Sequence, residues 1–287
     1  MFLSTNRASE LFPAFQKELG ESFNEREIRL MIRLALEKRL GLERGQLLFL
    51  NECRLSESDI NFFENLLGRL QKGEPYQYIL GEAHFYGLTL SSDQRALIPR
   101  PETEELVAWI LEEQKEGKHT LIDWGTGSGC IALAIKAERP EWKVYAADLS
   151  EESLELAAHN GSKLDLDIQV LKADILNPDQ TEVASSCDIW VSNPPYIPLK
   201  DREHMNSNVL DYEPSMALFV PDEDPLKYYR NLAEGAVKML PDTGKIYLEV
   251  HEEYGAEVEQ LFLSLKFREV SLRQDLQGKN RMLRAVK

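Results

Sequence analysis

Residues 121–137 read LIDWGTGSGCIALAIKA, and they join a strand pattern to a helix pattern through a loop with three glycines. Glycine lets the backbone turn sharply and lets a ligand approach it closely. In an open α/β sheet, ligands bind at the carboxyl ends of the strands. The stretch therefore predicts an α/β domain whose ligand site includes residues 125–129.

Strand and helix patterns alternate from this stretch to the end of the chain. Such alternation is typical of a mostly parallel sheet whose two faces are covered by helices. Two consecutive strand patterns at the end of the chain predict an antiparallel hairpin on one side of the sheet. The predicted strands are 120–124, 142–148, 167–174, 187–192, 245–250, 267–274 and 281–286, and the predicted helices are 130–137, 151–162, 225–239 and 254–265.

The N-terminal part of the chain has a different pattern. Between residues 8 and 72, apolar residues recur at helical spacing, and Ser56 followed by Asp59 indicates a helix N-terminus. Residues 75–90 are aromatic and β-prone, which favours a β-hairpin, and an extended corner at 99–101 then leads into an amphipathic helix. We therefore predict a helical domain at 1–73, a hairpin linker at 74–95 and the α/β domain at 96–287.

Composition limits the classes of partner. The formal net charge is −16 over 287 residues, and binding to naked nucleic acid depends on Lys and Arg that neutralise phosphates. The acidic balance argues mildly against a nucleic-acid substrate and against a membrane surface, although a local basic patch could override it. We therefore expect no direct nucleic-acid contact and no membrane contact, and nothing in the sequence requires more than a monomer.

Cysteine usage and hydropathy indicate the compartment. The three cysteines are far apart, and the sequence has no Cys/His cluster with zinc spacing, so we expect neither a disulfide scaffold nor a bound metal. The N-terminus lacks the basic and apolar regions of a secretory signal, and no apolar run is long enough to span a membrane. These features predict a cytoplasmic protein.

An acidic residue follows the glycine loop at a spacing typical of nucleoside sites. Asp148 ends the next predicted strand about 20 residues on, where a carboxylate accepts hydrogen bonds from both ribose hydroxyls. A lone Gly-x-Gly-x-Gly can also be a tight packing turn. The loop's position between strand and helix, together with Asp148, favours a bound nucleoside cofactor.

The details of the loop favour S-adenosylmethionine (SAM) over a dinucleotide. The third glycine comes one residue earlier than in the dinucleotide pattern, and Asp123 precedes the loop at the strand end. A carboxylate there would repel a pyrophosphate but suits the ammonium group of SAM, directly or through water. Asp174, at the end of the third strand, is a candidate acceptor for the adenine amine, with Ile175 packed on the ring. The alternative for Asp174 is an ordinary strand-end cap.

The tetrapeptide NPPY at residues 193–196 follows a predicted core strand. A planar amide or amine nitrogen is a poor nucleophile, and its two N–H groups need acceptors that favour charge developing in the transition state. The Asn193 side-chain oxygen and the Pro194 carbonyl can accept them, Pro195 stiffens the corner, and Tyr196 offers a flat face. The alternative is a simple Pro-Pro turn, but its place beside a cofactor site favours a catalytic corner.

NPPY after the fourth strand resembles the class I amino-methyltransferases that act on planar nitrogen, which include N6-adenine DNA enzymes and glutamine N5 enzymes. Further segments resemble the bacterial peptide-chain release-factor glutamine methyltransferase family over about residue 75 to the C-terminus. Trp124 departs from this pattern, since the family usually has a smaller aliphatic residue there. The matching segments are PYQYILG (75–81), FYG (85–87), LIPRPETE (97–104), 123–133, NPPYI (193–197), YEP (212–214) with AL (217–218), and 275–281.

The resemblance implies a Rossmann-like class I SAM-dependent methyltransferase domain with a mostly parallel seven-stranded sheet, a helical substrate-recognition domain and a hairpin linker. It implies SAM as cofactor and, as substrate, N5 of the glutamine in the GGQ tripeptide of class I release factors. By matching position, the glutamine amide would be held by Asn193, Pro194, Pro195 and Tyr196. The cofactor would be bound by Asp123, Gly125, Thr126, Gly127, Ser128, Gly129, Asp148, Asp174, Ile175 and Asn193.

The family also keeps the segment around Arg100 and Glu102 near its active site. We expect these two residues to close over the cofactor or to hold the substrate loop. The alternative is a helix N-terminus in which acidic residues are favoured by the helix dipole. Glu249, Asp275 and Arg281 are expected to make structural polar contacts.

Three other functions compete with this interpretation. A nucleic-acid amino-methyltransferase usually flips a base and grips phosphates, and no basic groove or target-recognition domain is evident in this acidic sequence. A nicotinamide-dependent oxidoreductase conflicts with the glycine spacing and with NPPY. A non-enzymatic adaptor that only binds release factors leaves NPPY unexplained. Glutamine methylation is therefore the function we expect.

Overall fold

The computed structural model describes residue 3, residues 5–42 and residues 50–287. The chain divides into two compact units. One contains the residues up to Gly81 together with Ser207–Tyr212, and the other contains Glu82–Asn206 and Glu213–Lys287. No helix in the described ranges combines the length and the low polarity needed to cross a membrane.

The first unit is helical, as the sequence predicts. Asn24 and Ser56 each cap a helix, because their side-chain oxygens accept backbone N–H groups while an acid three residues later accepts the N–H of the cap residue. Phe15, Ile28 and Phe63 are fully buried between the helices. The helices are α1 (Leu11–Leu19), α2 (Glu25–Leu40), α3 (Glu57–Leu70), α4 (Tyr76–Leu80) and α8 (Ser207–Tyr212).

The hairpin predicted over 75–90 is wrong in its first part. Helix α4 occupies Tyr76–Leu80, and the hairpin consists only of β1 (Glu82–Phe85) and β2 (Leu88–Ser91). Strand propensity is overridden here because Leu80 is buried in the helical core and Tyr76 packs against it. Gly81, at a φ of +69°, ends the helix in the left-handed region.

The second unit contains a seven-stranded sheet with the order β10-β11-β9-β6-β3-β4-β5. The five strands from β9 to β5 pair in parallel, and β11 and β10 add an antiparallel hairpin at one edge, as predicted. The predicted strand 167–174 is shorter in the structure. The strands are β3 (Thr120–Trp124), β4 (Lys143–Asp148), β5 (Gln169–Lys172), β6 (Ile189–Ser192), β9 (Lys245–Glu249), β10 (Arg268–Gln274) and β11 (Asn280–Val286), and a separate parallel ribbon pairs β7 (Ile197–Pro198) with β8 (Phe219–Val220).

Helices cover both faces of this sheet, which accounts for the long apolar runs in its strands. The two faces carry separate apolar clusters, one around Trp109 and Ile131 and the other around Trp190 and Phe262. The helices of this unit are α5 (Pro101–Glu113), α6 (Cys130–Glu138), α7 (Glu151–Leu164), α9 (Lys227–Met239) and α10 (Gly255–Ser264).

Successive side chains of β3 alternate between the two faces. Leu121 belongs to the cluster around Trp109 and Ile131, whereas Ile122 and Trp124 belong to the cluster around Trp190 and Phe262. The Trp124 ring centroid lies 5.2 Å from that of Trp190. Trp124, the departure from the family pattern, therefore fills the core on the α9–α10 side of the sheet.

Two neighbouring residues of α10 test the contribution of this core. Phe262 is fully buried, whereas Leu263 is 46% exposed. Phe262→Ala should lower the free energy of unfolding by about 3–5 kcal/mol, because it removes transfer energy and leaves a cavity. Leu263→Ala should change it by no more than about 0.5 kcal/mol. Urea unfolding followed by circular dichroism measures both, and equal losses would contradict this packing.

Candidate active site

A cavity of about 230 Å³ lies where the glycine loop, the end of β4 and the segment after β6 meet. Ten of the fifteen predicted site residues line it, so the structure brings together most of a set that is scattered over the sequence. The lining residues from that set are Arg100, Gly125, Thr126, Gly127, Ser128, Asp148, Asp174, Ile175, Asn193 and Pro195. The other five, Glu102, Asp123, Gly129, Pro194 and Tyr196, do not belong to the lining.

The glycine loop is tied to the end of β4. The backbone N–H groups of Gly125 and Thr126 both donate to the carbonyl of Ala147, at 2.8 and 2.9 Å. The N–H of Gly127 donates to Oδ2 of Asp148 at 2.9 Å. These bonds hold the loop against the neighbouring strand and leave its open side as the wall of the cavity.

Gly129 serves packing. It has a φ of +83°, and a Cβ atom on it would lie 3.1 Å from the Cβ of Ala157 and 3.2 Å from a methyl group of Leu133. A side chain at 129 would therefore push α6 away from α7. The packing alternative is thus confirmed at Gly129, while the ligand-binding role of the loop stays a prediction.

Asp148 lines the cavity with a carboxylate that is already partly satisfied. Its Oδ1 accepts from the N–H of Ser150 at 2.9 Å, and its Oδ2 accepts from Gly127. Burial raises the pKa of this carboxyl group, while these backbone hydrogen bonds oppose the shift. Each carboxylate oxygen still has a lone pair for a ligand hydroxyl.

Asp123 is fully buried beneath the glycine loop. Its Oδ2 accepts from the hydroxyl of Thr126 at 2.6 Å, whereas its Oδ1 has no hydrogen-bond partner among the described residues. Burial raises the pKa of Asp123 to about 7, and the hydrogen bond from the Thr126 hydroxyl offsets this shift only in part. A buried carboxylate with an unsatisfied oxygen favours a cationic or hydrogen-bond-donating ligand nearby.

Asp174 makes the contacts of a strand-end cap and also lines the cavity. Its Oδ1 accepts from the N–H of Leu176 and its Oδ2 from the side chain of Asn177, both at 2.9 Å. Ile175 is the next residue along the same wall, with a methyl group 4.0 Å from the position a Cβ would take on Gly125. Both interpretations of Asp174 are compatible with its contacts.

The corner after β6 places Asn193 and Pro195 on the cavity wall. The residue after Pro195, Tyr196, is half-buried in the core cluster around Trp190 and Phe262, edge-on to His251 at 5.8 Å between ring centroids. The corner continues into β7, whose pairing with β8 holds its far end. The predicted contact between the Tyr196 ring and a substrate therefore stays a prediction.

Sequence reasoning missed the buried hydrogen bonds behind this corner. The side-chain N–H of Asn193 donates to Oγ1 of Thr103 at 3.1 Å, and the Thr103 hydroxyl donates to Oε2 of Glu249 at 2.6 Å. The hydroxyl of Tyr196 donates to the other oxygen of Glu249 at 2.9 Å. The sequence did contain one signal, because Asn193 directly follows one predicted strand and Glu249 lies near the end of another. These two strands, β6 and β9, are parallel neighbours in the structure.

Arg100 is held at the cavity by a buried acid. Its guanidinium donates to Oε1 of Glu213 at 2.6 Å, and the N–H of Ile98 donates to Oε2 at 3.1 Å. Pro214, directly after Glu213, and Met216, three residues after it, line the cavity too. Glu213 therefore joins two wall segments that are more than a hundred residues apart in the chain.

Comparison with known proteins identifies the family. Over 279 residues the chain is 42% identical to the release factor glutamine methyltransferase of Streptococcus pneumoniae, and the match covers 96% of this chain and 97% of the relative. The enzyme of the same name from Bacteroides thetaiotaomicron is 38% identical over 94% of this chain and 96% of its own. The chain belongs to the release factor glutamine methyltransferase family.

Two family models match separate parts of the chain, and the first ends at residue 81, where the long segment of the first compact unit also ends. The model described as PrmC N-terminal domain matches residues 14–81, and the one described as Methyltransferase small domain matches residues 103–211. The likeness to release factor glutamine methyltransferases thus includes the N-terminal helices before residue 75, which carry none of the motifs quoted for the resemblance.

A solved structure supports the fold of this release factor glutamine methyltransferase family member. The hMettl16 catalytic domain, solved in complex with MAT2A 3′UTR hairpin 6, superposes with a TM-score of 0.55 over 80% of this chain and 82% of that chain. At 14% identity this likeness establishes the fold alone. The predicted class I methyltransferase fold is confirmed.

The packing role of Gly129 can be separated from its backbone conformation in this family member. Gly129 and Gly278 have φ values of +83° and +82°, but a Cβ on Gly278 would meet nothing within 4 Å. Gly278→Ala should cost about 1–2 kcal/mol of unfolding free energy from the left-handed conformation alone. Gly129→Ala should cost about 1–3 kcal/mol more, because α6 and α7 must separate. Equal costs in chemical unfolding would contradict the packing role.

Proposed function

We propose that this protein transfers a methyl group from SAM to N5 of the glutamine in the GGQ tripeptide of class I peptide-chain release factors. The observation that carries the proposal is that Asn193 and Pro195 of NPPY line the same cavity as the glycine loop, in a chain of this family. This arrangement supports an amide-binding corner next to the site that we propose for the nucleoside.

The residues of the cavity suit SAM, which when bound supplies an electrophilic methyl group on a sulfonium. The unsatisfied oxygen of Asp123 fits an ammonium group nearby, and the free lone pairs of Asp148 fit ribose hydroxyls. Asp174 and Ile175 provide an acceptor and an apolar surface on the wall for the base. The remaining cofactor contacts are assigned to the loop residues Gly125, Thr126, Gly127, Ser128 and Gly129, with Asn193.

The chain's part in the transfer is to bind and orient the amide nitrogen. Asn193 Oδ1 and the Pro194 carbonyl accept its two N–H groups, which aligns the nitrogen and favours the positive charge that develops on it. The prolines keep these acceptors in place, so little reordering is needed. The nitrogen can release its proton after methylation, and a strong general base is not required.

Other parts of the chain are assigned by the same proposal. Arg100, held by Glu213, and Glu102 lie at the start of α5 and would close over the cofactor or hold the substrate loop. The helical domain, which we place at 1–73, would recognise the release factor, with 74–95 as linker and 96–287 as the catalytic domain. The enzyme would act in the cytoplasm as a monomer, without direct nucleic-acid contact.

The activity is tested with purified protein, labelled SAM and recombinant release factor. We expect label in the release factor at the GGQ glutamine, and replacing that glutamine in the substrate should abolish labelling. The Asn193→Ala enzyme should lose about 100-fold or more in kcat, while its SAM affinity falls only modestly. Duplex DNA in a parallel reaction is the control for the rival substrate.

Label that persists in release factor without the GGQ glutamine would overturn the assigned substrate residue. Preferential labelling of DNA would overturn the substrate class. An unchanged kcat for Asn193→Ala would remove Asn193 from the mechanism.

The role of Asp123 predicts a pH dependence of SAM binding. Because burial raises the pKa of Asp123 to about 7, this carboxyl is largely protonated in the free enzyme below neutrality. An ammonium group stabilises the ionised form, so binding below neutral pH must first remove a proton. SAM affinity should then fall by up to about tenfold per pH unit on acidification.

Calorimetric SAM titrations of wild type and Asp123→Asn measure this effect. The variant should bind more weakly at neutral pH and lose the decline near neutrality. Asp148 is present in both proteins, so the difference between them reports Asp123. The same pH dependence in both would contradict the assignment.

A further inference from the structure

A chain of buried hydrogen bonds links the proposed amide-binding residue to a carboxylate outside the cavity lining. Asn193 Nδ2 donates to Thr103 Oγ1 at 3.1 Å, Thr103 donates to Glu249 Oε2 at 2.6 Å, and Tyr196 donates to Glu249 Oε1 at 2.9 Å. Thr103 is 2% exposed and Glu249 is 1% exposed. Water therefore has little access to replace the hydrogen bond between Thr103 and Glu249.

The direction of each hydrogen bond follows from the number of protons available. An ionised carboxylate only accepts, so both Thr103 and Tyr196 must donate to Glu249. A threonine hydroxyl has one proton, and with that proton committed to Glu249 it can offer only a lone pair to Asn193. The group that Asn193 turns toward Thr103 must then be its NH₂.

This direction decides what Asn193 presents to a ligand. Its amide group is planar, with the oxygen and nitrogen on opposite sides of the terminal carbon, so turning Nδ2 toward Thr103 turns Oδ1 away from it. A glutamine amide nitrogen brings only N–H donors and needs acceptors. A flipped Asn193 would confront such a substrate with a second donor and leave a buried polar contact unmade.

We infer that Glu249, acting through Thr103, is a positioning residue that holds Asn193 with its side-chain oxygen available to the substrate amide. This inference rests on the proposed function, because the substrate it serves is an amide nitrogen. Neither Glu249 nor Thr103 is assigned a bond to the reacting atoms.

The surroundings of Glu249 determine whether it remains an acceptor. Burial and the negative charge of Glu102 raise the pKa of Glu249, whereas the hydroxyls of Thr103 and Tyr196 and the positive charge of Arg281 oppose this shift and favour the carboxylate. Arg281 is kept in place by Asp275, with 3.2 Å between its Nε and a carboxylate oxygen of that residue. Asp275 and Arg281, both in the matching segment 275–281, thus favour the ionised form of Glu249. The direction of the hydrogen bonds between Glu249, Thr103 and Asn193 depends on that form.

The test is a double-mutant cycle in single-turnover methylation of release factor at saturating SAM. Glu249→Gln is isosteric but brings a donor, so it no longer forces the Thr103 proton away from Asn193. It should lower kcat about 10- to 100-fold in the otherwise wild-type enzyme, because the loss of a contact that orients a functional group typically lowers activity by about this factor. In an enzyme that already carries Asn193→Ala, Glu249→Gln should lower kcat almost no further, because the side chain that Glu249 positions is absent.

Thr103 provides a matched pair of variants on the same chain of bonds. Thr103→Val keeps the shape but removes the hydroxyl, and it should lower kcat as Glu249→Gln does. Thr103→Ser keeps the hydroxyl and should restore most of the activity. The dissociation constant for SAM and the thermal midpoint, measured for every variant, should stay near wild type. If Glu249→Gln does not fold, the comparison of Thr103→Val with Thr103→Ser still tests the inference.

The outcomes separate this inference from the function on which it rests. An active wild type in which Glu249→Gln costs as much without Asn193 as with it would overturn the inference alone. The same holds if Thr103→Val retains full kcat. A wild type that does not methylate release factor would overturn the proposed function and the inference together.

Discussion

Parallel hydrogen bonding between neighbouring strands is the constraint on which the site depends. Strands β4, β3, β6 and β9 run side by side in the same direction, so their carboxyl ends meet at one edge of the sheet. Asp148 ends β4, the glycine loop follows β3, Asn193 follows β6 and Glu249 ends β9. A shift of one strand by one residue would turn its side chains to the other face and separate these groups.

The same edge concentrates buried carboxyl groups. Burial raises the pKa values of Asp123, Asp148 and Glu249, so each ionised form is held against a desolvation cost. The three carboxyl groups differ in the hydrogen bonds that offset this desolvation cost. Asp148 accepts two backbone N–H groups, Glu249 accepts two hydroxyls, and Asp123 retains one oxygen that accepts no hydrogen bond from the part of the chain that the structure describes. Asp123 is therefore the acid that a cationic ligand would stabilise most.

Local patterns in the sequence predicted most of the fold. The seven strands, the helices between them and the Ser56 cap follow from alternation, periodicity and capping, which depend on residues close in the chain. The exception at 76–80 has a tertiary cause, since the helical core buries Leu80 whatever the strand propensity of its neighbours. Predicted site residues at strand ends, such as Asp148 and Asn193, line the cavity because topology alone brings strand ends together.

Local sequence patterns could not predict contacts between residues that are far apart in the chain. Thr103 and Glu249 are 146 residues apart, and Arg100 and Glu213 are 113 residues apart. Their pairing depends on how α5 packs on the sheet, which no local spacing encodes. Tyr196 shows the same limit, because its hydroxyl donates to a buried acid that the tetrapeptide itself does not predict.

We propose that the corner at Asn193 serves one glutamine of a release factor. Mass spectrometry of release factors from cells with and without this gene tests it most directly. We expect one added methyl group on the GGQ glutamine when the gene is present and none when it is deleted, with restoration by the wild-type gene but not by Asn193→Ala. Methylation of that glutamine that persists in the deletion strain would contradict it.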